Sequence, residues 1–203
     1  ANLAKAELSD DARTRFAEKA TEQLKRLERL IQDVLLFARG EHIGREVIPV
    51  AGLLSEATQT LEPLCAARGV EFRRKGEAGE AIIVGSRKSL SGALLNLLEN
   101  ALQVCEVGGA VTLTVAVLGK RVSFSVSDTG PGVAPEQQAR IFEPFFTTKG
   151  VGEGTGQGLS IVRSIIEDTH HGKISFAVRE GEGTTFTIFV PCGVSMNTAQ
   201  INS

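Results

Sequence analysis

Between residues 10 and 39, apolar and small residues return at steps of three and four: Ala17, Ala20, Leu24, Leu27, Ile31, Val34 and Ala38. That spacing is a helical heptad seam. Leu30, Leu35 and Phe37 widen the stripe beyond a two-stranded coil, so the pattern predicts a bundle helix. Ser9 and Asp10 are N-cap types, and Gly40 ends the run. One amphipathic helix cannot bury its own stripe. The expectation is that a preceding helix is cut off, or is supplied by another chain.

After Gly40 the period changes. Residues 41–45 predict a hinge. Residues 46–50 predict a short strand, placed at a sheet edge because Pro49 has no N–H to donate. Leu53, Leu54, Ala57, Leu61, Leu64 and Cys65 share one side of a helix over 51–68. Two strands follow, at 70–74 and 81–84, joined by a glycine-rich turn at 76–79. Ser86 caps a mostly buried helix over 87–107, which carries Leu90, Leu94, Leu95, Leu97, Leu98, Ala101 and Leu102. Strict alternation over 110–117 and 120–127 predicts an antiparallel hairpin. A helix over 159–168 and a last hairpin, 173–178 with 184–190, complete the pattern. Residues 192–203 predict a disordered tail.

Composition narrows the class. The chain has 203 residues, enough for one large domain or one domain with a helical attachment. A net charge of −2 argues against a nucleic-acid binder that works by bulk electrostatics. No apolar run approaches the roughly 20 residues that span a bilayer. The N-terminus lacks the basic-then-apolar order of a signal peptide. Three cysteines without metal-ligand spacing, Cys65, Cys105 and Cys192, fit a cytoplasmic chain better than a disulfide framework.

Two positions interrupt the leucine-rich helix. Asn96 and Asn100 are one turn apart on one face. Asparagine is a poor helix-interior residue, and a buried amide needs its hydrogen bonds met. Such a face either borders a polar cavity, where amide oxygens can ligate a hard cation such as Mg²⁺, or bonds to a nearby loop. Asp128 then opens a Thr-Gly-Pro-Gly turn. Its carboxylate could accept from an exocyclic amine, with Gly130 and Gly132 letting the backbone approach a ring, or it could make an Asx-type turn. The aspartic-protease reading of Asp-Thr-Gly fails on length and on the lack of a second copy. Phe142, Phe145 and Phe146 follow, then Lys149 in a flexible setting where a cation could reach phosphate oxygens. Gly152, Gly154, Gly156 and Gly158 lead into the next helix, whose N-terminal N–H groups can bind phosphate. No Lys-Ser or Lys-Thr follows, so this is not a Walker A loop. His170 and His171 read as polar caps near a helix C-terminus.

The order of these pieces carries more than any one of them. Asn96-Leu-Leu-Glu-Asn100-Ala101, Asp128-Thr-Gly-Pro-Gly132, Phe142-Glu-Pro-Phe-Phe-Thr-Thr-Lys149, Gly154-Thr-Gly-Gln-Gly-Leu159 and Gly183-Thr184 together resemble the ATP-binding domain of sensor histidine kinases of two-component systems. That domain belongs to the wider ATPase group with gyrase and heat-shock chaperones. The Phe-Glu-Pro segment is similar to the nitrogen-regulator-type subgroup, and residues 30–40 resemble flagellar regulatory kinases.

The resemblance implies an α/β fold: a two-layer sandwich of Bergerat type, with a mixed sheet covered on one face by helices and preceded by a long bundle helix. It implies a dimerisation and phosphotransfer part over 1–40 and a catalytic part over 41–191. It also implies ATP and Mg²⁺ as cofactors, a response regulator as partner, and a homodimer through the helix at 10–39. Residue by residue, Asn100 matches the Mg²⁺ ligand and Asn96 the site-facing position one turn earlier. Asp128 matches the adenine-binding carboxylate, and Gly130 and Gly132 shape its turn. Lys149 lies in a lid near the γ-phosphate. Gly154, Thr155, Gly156, Gly158 and Leu159 fall in the second glycine box, and Thr184 matches a sheet threonine near the adenine. Gln157 stands where leucine or methionine is more usual. The family's phosphoacceptor histidine has no counterpart: His42, His170 and His171 lie in the wrong contexts.

Overall fold

Asp128 and the Asn96–Asn100 pair sit where a mixed sheet meets the helix laid across it. The computed structural model describes residues 45–147, 156–179 and 182–194. The chain divides into two units, Ala1–Glu41 and His42–Ser203, and every described residue belongs to the second. The helix expected over 10–39 lies outside the described residues.

The strands are β1 (Glu46–Pro49), β2 (Glu71–Lys75), β3 (Ala81–Gly85), β4 (Ala110–Leu118), β5 (Arg121–Asp128), β6 (Lys173–Arg179), β7 (Gly183–Pro191) and β8 (Gly193–Val194). The helices are α1 (Val50–Ala67), α2 (Arg87–Val104), α3 (Pro135–Gln138) and α4 (Gly158–Ser164), the last running on into a π-type turn over Ile165–Thr169. Five strands form a sheet in the order β2-β4-β5-β7-β6. It is mixed, because β2 runs parallel to β4 while the other neighbours are antiparallel. A separate three-stranded sheet, β1-β3-β8, pairs the first and last described strands with β3.

Alternation assigns the faces of the large sheet. Val111, Leu113, Val115, Val122, Phe124, Val126, Phe186, Ile188 and Val190 are buried. They meet Leu94, Leu97, Leu98 and Ala101 of α2, which packs on β4, β5 and α1. Burying each such leucine contributes about 1.5–3 kcal/mol. The opposite face is threaded by hydroxyls: Ser125 pairs with Thr187 and Ser127 with Thr185, both at 2.9 Å. This is the α/β sandwich that the residue order implies, with helices on one face of the mixed sheet.

Two local readings need correction and one needs completing. The strands at 71–75 and 81–85 are joined by the glycine-rich segment as read, but they do not pair; β2 joins β4, and β3 joins β1 in the other sheet. The glycine between them serves a close approach: at Gly76 (φ 76°), a Cβ would fall 2.0 Å from the Val115 carbonyl oxygen. The helix read as ending at 107 stops at Val104, because Cys105 is already extended. Finally, Gly193 and Val194, read as tail, pair with Ile82 and Ala81 of β3.

Candidate functional site

The site is built at the ends of β5 and β7 and along one face of α2. Asp128 closes β5 and is 8% exposed. Its Oδ1 accepts from the backbone N–H of Gly130 (2.9 Å) and of Thr184 (3.2 Å). Burial pushes the Asp128 carboxyl above its ordinary value, and the N–H groups of Gly130 and Thr184 pull the other way. Both bonds fall on one oxygen.

Glycines make this corner possible. Gly183 has φ 106°, and a Cβ there would lie 2.0 Å from the Asp128 carbonyl oxygen. A Cβ on Gly130 would meet Val104 Cγ2 and the Val104 carbonyl oxygen, both at 2.8 Å. The turn therefore rests directly on the last residue of α2. Thr129 adds a tie, its Oγ1 accepting from Ala110 N–H at 2.8 Å. Cys105 donates weakly to the Ala110 carbonyl oxygen at 3.5 Å, so it is part of the packing at the α2 end.

The second group lies earlier on α2. Asn100 donates its side-chain N–H to Asn96 Oδ1 at 2.9 Å. Asn96 in turn lies against the start of α4: a Cβ on Gly158 would fall 2.6 Å from Asn96 Oδ1. Both asparagines are half-buried. Gln157, beside Gly158, is buried, and its carbonyl accepts from Ile161 N–H and Ser160 Oγ. Gly156 has φ 66°, and a Cβ there would strike the backbone of Phe145, itself held at φ 66°. Leu159 packs half-buried against the core.

Asn96, Asn100 and Val104 are spaced i, i+4, i+8, so they share a face of α2. That face spans about 12 Å at 1.5 Å per residue. One end touches Gly158, and the other touches the Asp128–Gly130 corner. Of the residues singled out from sequence, Asp128, Gly130 and Thr184 come together at one end, and Asn96, Asn100 and Gly158 at the other. Gly132 (φ 81°) continues the turn after Asp128. Lys149, Gly154 and Thr155 lie outside the described residues.

Val104 and Thr129 were not singled out from sequence. The signal for Val104 was its i+4 spacing from Asn100; nothing local marks Thr129. The phenylalanines separate in role. Phe142 packs edge-on against Phe176 and Phe186, Arg140 lies 4.5 Å from the centre of the Phe146 ring, and Phe145 is 71% exposed. His170 is the polar C-cap that its position suggested, its Nδ1 bonded to the Ile165 carbonyl oxygen, and it is buried.

Known proteins resemble this chain in sequence and fold. Residues 85–194 match the family described as histidine kinase-, DNA gyrase B-, and HSP90-like ATPase. The sensor histidine kinase ZraS of Escherichia coli K12 is 31% identical over 91% of this chain and 39% of its own length. The sensor protein kinase FleS of Pseudomonas aeruginosa is 36% identical over 94% of this chain and 46% of its own. The chain thus spans less than half the length of these curated relatives. Among solved structures, the catalytic domain of the histidine kinase ThkA is 31% identical, with a TM-score of 0.66, over 72% of this chain and 95% of that one. ThkA in complex with the response regulator protein TrrA is 27% identical, with a TM-score of 0.77, over 92% of this chain and 53% of that one.

Proposed function

The chain belongs to the histidine kinase-, DNA gyrase B- and HSP90-like ATPase family, and from that premise we propose that it is the ATP-binding catalytic part of a two-component sensor histidine kinase. The whole protein would transfer the γ-phosphoryl group of ATP to a histidine, and from there to an aspartate of a response regulator. Residues 1–40 would belong to the dimerisation and phosphotransfer part, with a homodimer formed through the helix at 10–39, and residues 41–191 to the catalytic part. The observation that carries this reading is the α2 face, which joins a buried carboxylate at one end to a paired-amide cluster at the other. From Asn96 to Val104, which the Asp128 turn rests on, that face runs about 12 Å along the helix axis.

Asp128 is the adenine end. Its Oδ1 is held by Gly130 and Thr184, and its Oδ2 is the oxygen we assign to the exocyclic amine. Val104 and the glycine turn supply an apolar wall and a close backbone. Asn100 spends its N–H on Asn96, which leaves a carbonyl oxygen of the kind that hard cations take. The residues present therefore fit Mg²⁺, which would reduce the charge on the phosphates. Asn96 orients Asn100 and borders the start of α4. Gly154, Thr155, Gly156, Gly158 and Leu159 are assigned to the phosphate side, with Lys149 as the cation that approaches the γ-phosphoryl group. Catalysis of this kind is mostly positioning and electrostatics. As the finer assignment we propose a FleS-type kinase, a reading supported by the 36% identity to that sensor protein kinase.

The test is incubation with γ-labelled ATP and a separate helical domain bearing a phosphoacceptor histidine. Label on that domain, chased to a response regulator, is the expected result. Tight ATP binding without any transfer would replace this reading with a regulatory nucleotide-binding module. Phosphate release without an acceptor would replace it with an ATPase of the same fold group.

A further inference from the structure

α2 runs along the helical segment from Gly158 to Thr169, and of two contacts near the ends only the first belongs to the site above. At the first, Asn96 lies against Gly158. At the second, the N-terminus of α2 meets His170, which directly follows the π-type turn. The two segments are antiparallel struts, since residue 96 meets 158 and residue 86 meets 170.

His170 is 6% exposed, yet its ring carries two backbone bonds of opposite sense. Its Nε2 accepts from Ser86 N–H at 3.1 Å, and its Nδ1 donates to the Ile165 carbonyl oxygen at 2.8 Å. Only a neutral ring protonated on Nδ1 can do both. The fit on that edge is close: a Cβ on Gly85 would fall 2.4 Å from ring Cδ2. Ser86 is the N-cap of α2, and Glu46 Oε1 accepts from Arg87 N–H at 3.0 Å. His170 thus supplies one of three acceptors that fix where α2 begins. The opening N–H groups of a helix have no intrahelical partner, so such acceptors set its position.

We propose that His170 is a positioning residue for the nucleotide site, fastening the start of α2 to the end of the α4 segment so that Asn96 and Asn100 keep their register against Gly158. The inference rests on the nucleotide-site reading above. His170 touches no substrate; it acts through Ser86 and the length of α2. Protonation would turn the Nε2 acceptor into a donor facing Ser86 N–H, a clash of like groups in a buried place. The charged and titratable groups around it are His171 on its own segment, Arg45 at the start of β1, and Glu46 and Arg87 at the α2 cap. Burial holds the imidazole below its ordinary value of 6.5, and His171 and Arg45 add to that shift, against the Ile165 carbonyl. The neutral form, and the stability it brings, is therefore complete above pH 6.5 and is lost as pH falls through the lowered value.

The experiment compares the full chain with His170→Gln, which keeps an acceptor for Ser86, and His170→Leu, which keeps none. Binding of Mg²⁺-ADP is measured by calorimetry from pH 7.5 to 5, with circular dichroism to confirm folding at each point. At pH 7.5 we expect His170→Gln within about threefold of the parent and His170→Leu about tenfold weaker. Once His170 protonates, below its lowered value, the parent should lose affinity relative to His170→Gln, because titration of the nucleotide and of Asp128 is common to both and cancels in the ratio. A ratio that stays flat at a pH where NMR shows the His170 ring protonated overturns the proposal, as does folded His170→Leu that binds like the parent. If His170→Leu does not fold, the ratio alone decides. A parent that binds no ADP at pH 7.5 overturns the nucleotide-site reading itself, and this inference with it.

Discussion

The two ends of the α2 face are built by different means. The Asp128 end is made of strand termini and backbone: a buried carboxylate, two main-chain N–H donors, and glycines where a methyl group would strike a carbonyl oxygen. The Asn96–Asn100 end is made of half-buried side chains bonded to each other. The first end has almost no alternative arrangement. The second can be altered without dislodging the backbone. On the proposed reading, recognition of the base would be inseparable from fold integrity, while handling of phosphate and metal could be tuned by itself.

Four substitutions probe this contrast, from the largest effect to the smallest. Gly183→Ala puts a Cβ 2.0 Å from the Asp128 carbonyl oxygen at φ 106°, and should cost about 3 kcal/mol or more in urea unfolding. A loss below about 1 kcal/mol would show that this corner yields after all. Asp128→Asn keeps the shape but can turn a donor toward the amine, so nucleotide affinity should fall roughly a hundredfold in calorimetry while the chain stays folded. Equal affinity in the two proteins would remove the adenine assignment.

The same pair separates stability from binding through pH. The Asp128 carboxyl is raised above the unfolded value of 3.8. Its contribution to stability is therefore complete below pH 3.8 and is lost as pH rises through the raised value. Relative to Asp128→Asn, the parent should lose stability in urea titrations on going from pH 3 to pH 7. A difference that does not move with pH would mean that the carboxyl is not desolvated.

At the other end, Asn100→Ala should leave binding of metal-free nucleotide nearly intact and weaken Mg²⁺-nucleotide by about tenfold. An equal loss with and without Mg²⁺ would make Asn100 a packing residue like those around Asp128, and the contrast would collapse. His171→Gly is the remote control. His171 sits at φ 53° just beyond the π-type turn, a conformation that glycine adopts freely. Its replacement should raise stability by about 0.5–1 kcal/mol in thermal unfolding and leave both ends of the site unchanged.

What could be read from sequence follows the range of the physics involved. Alternation in β4 and β5 and the leucine stripe of α2 are local, and they placed the hairpin and the buried helix. The order of the asparagine pair, Asp128 and the glycine run, through the family resemblance it carries, was enough to imply the α/β sandwich and to single out Asn96 and Asn100, though not Val104, on the α2 face. Partners at long range were not legible. Nothing near Gly76 says that its chain passes over Val115, so the two strands around it look like a hairpin. His170 was legible as a polar helix cap, but its acceptor role was not, because that depends on Ser86, 84 residues away. The strand at Gly193–Val194 has no apolar pattern of its own and exists only because β3 offers an open edge.

The bond from Thr184 N–H to Asp128 also has a kinetic meaning. The hairpins β4–β5 and β6–β7 each pair through neighbouring chain, whereas the β5–β7 seam joins Ser127 to Thr185 across 58 residues. Local pairings close first and distant ones late. The seam that ends at Asp128 is thus a late event in folding, and an early one to give way in unfolding. A nucleotide held there would slow unfolding in stopped-flow experiments and scarcely change the refolding rate.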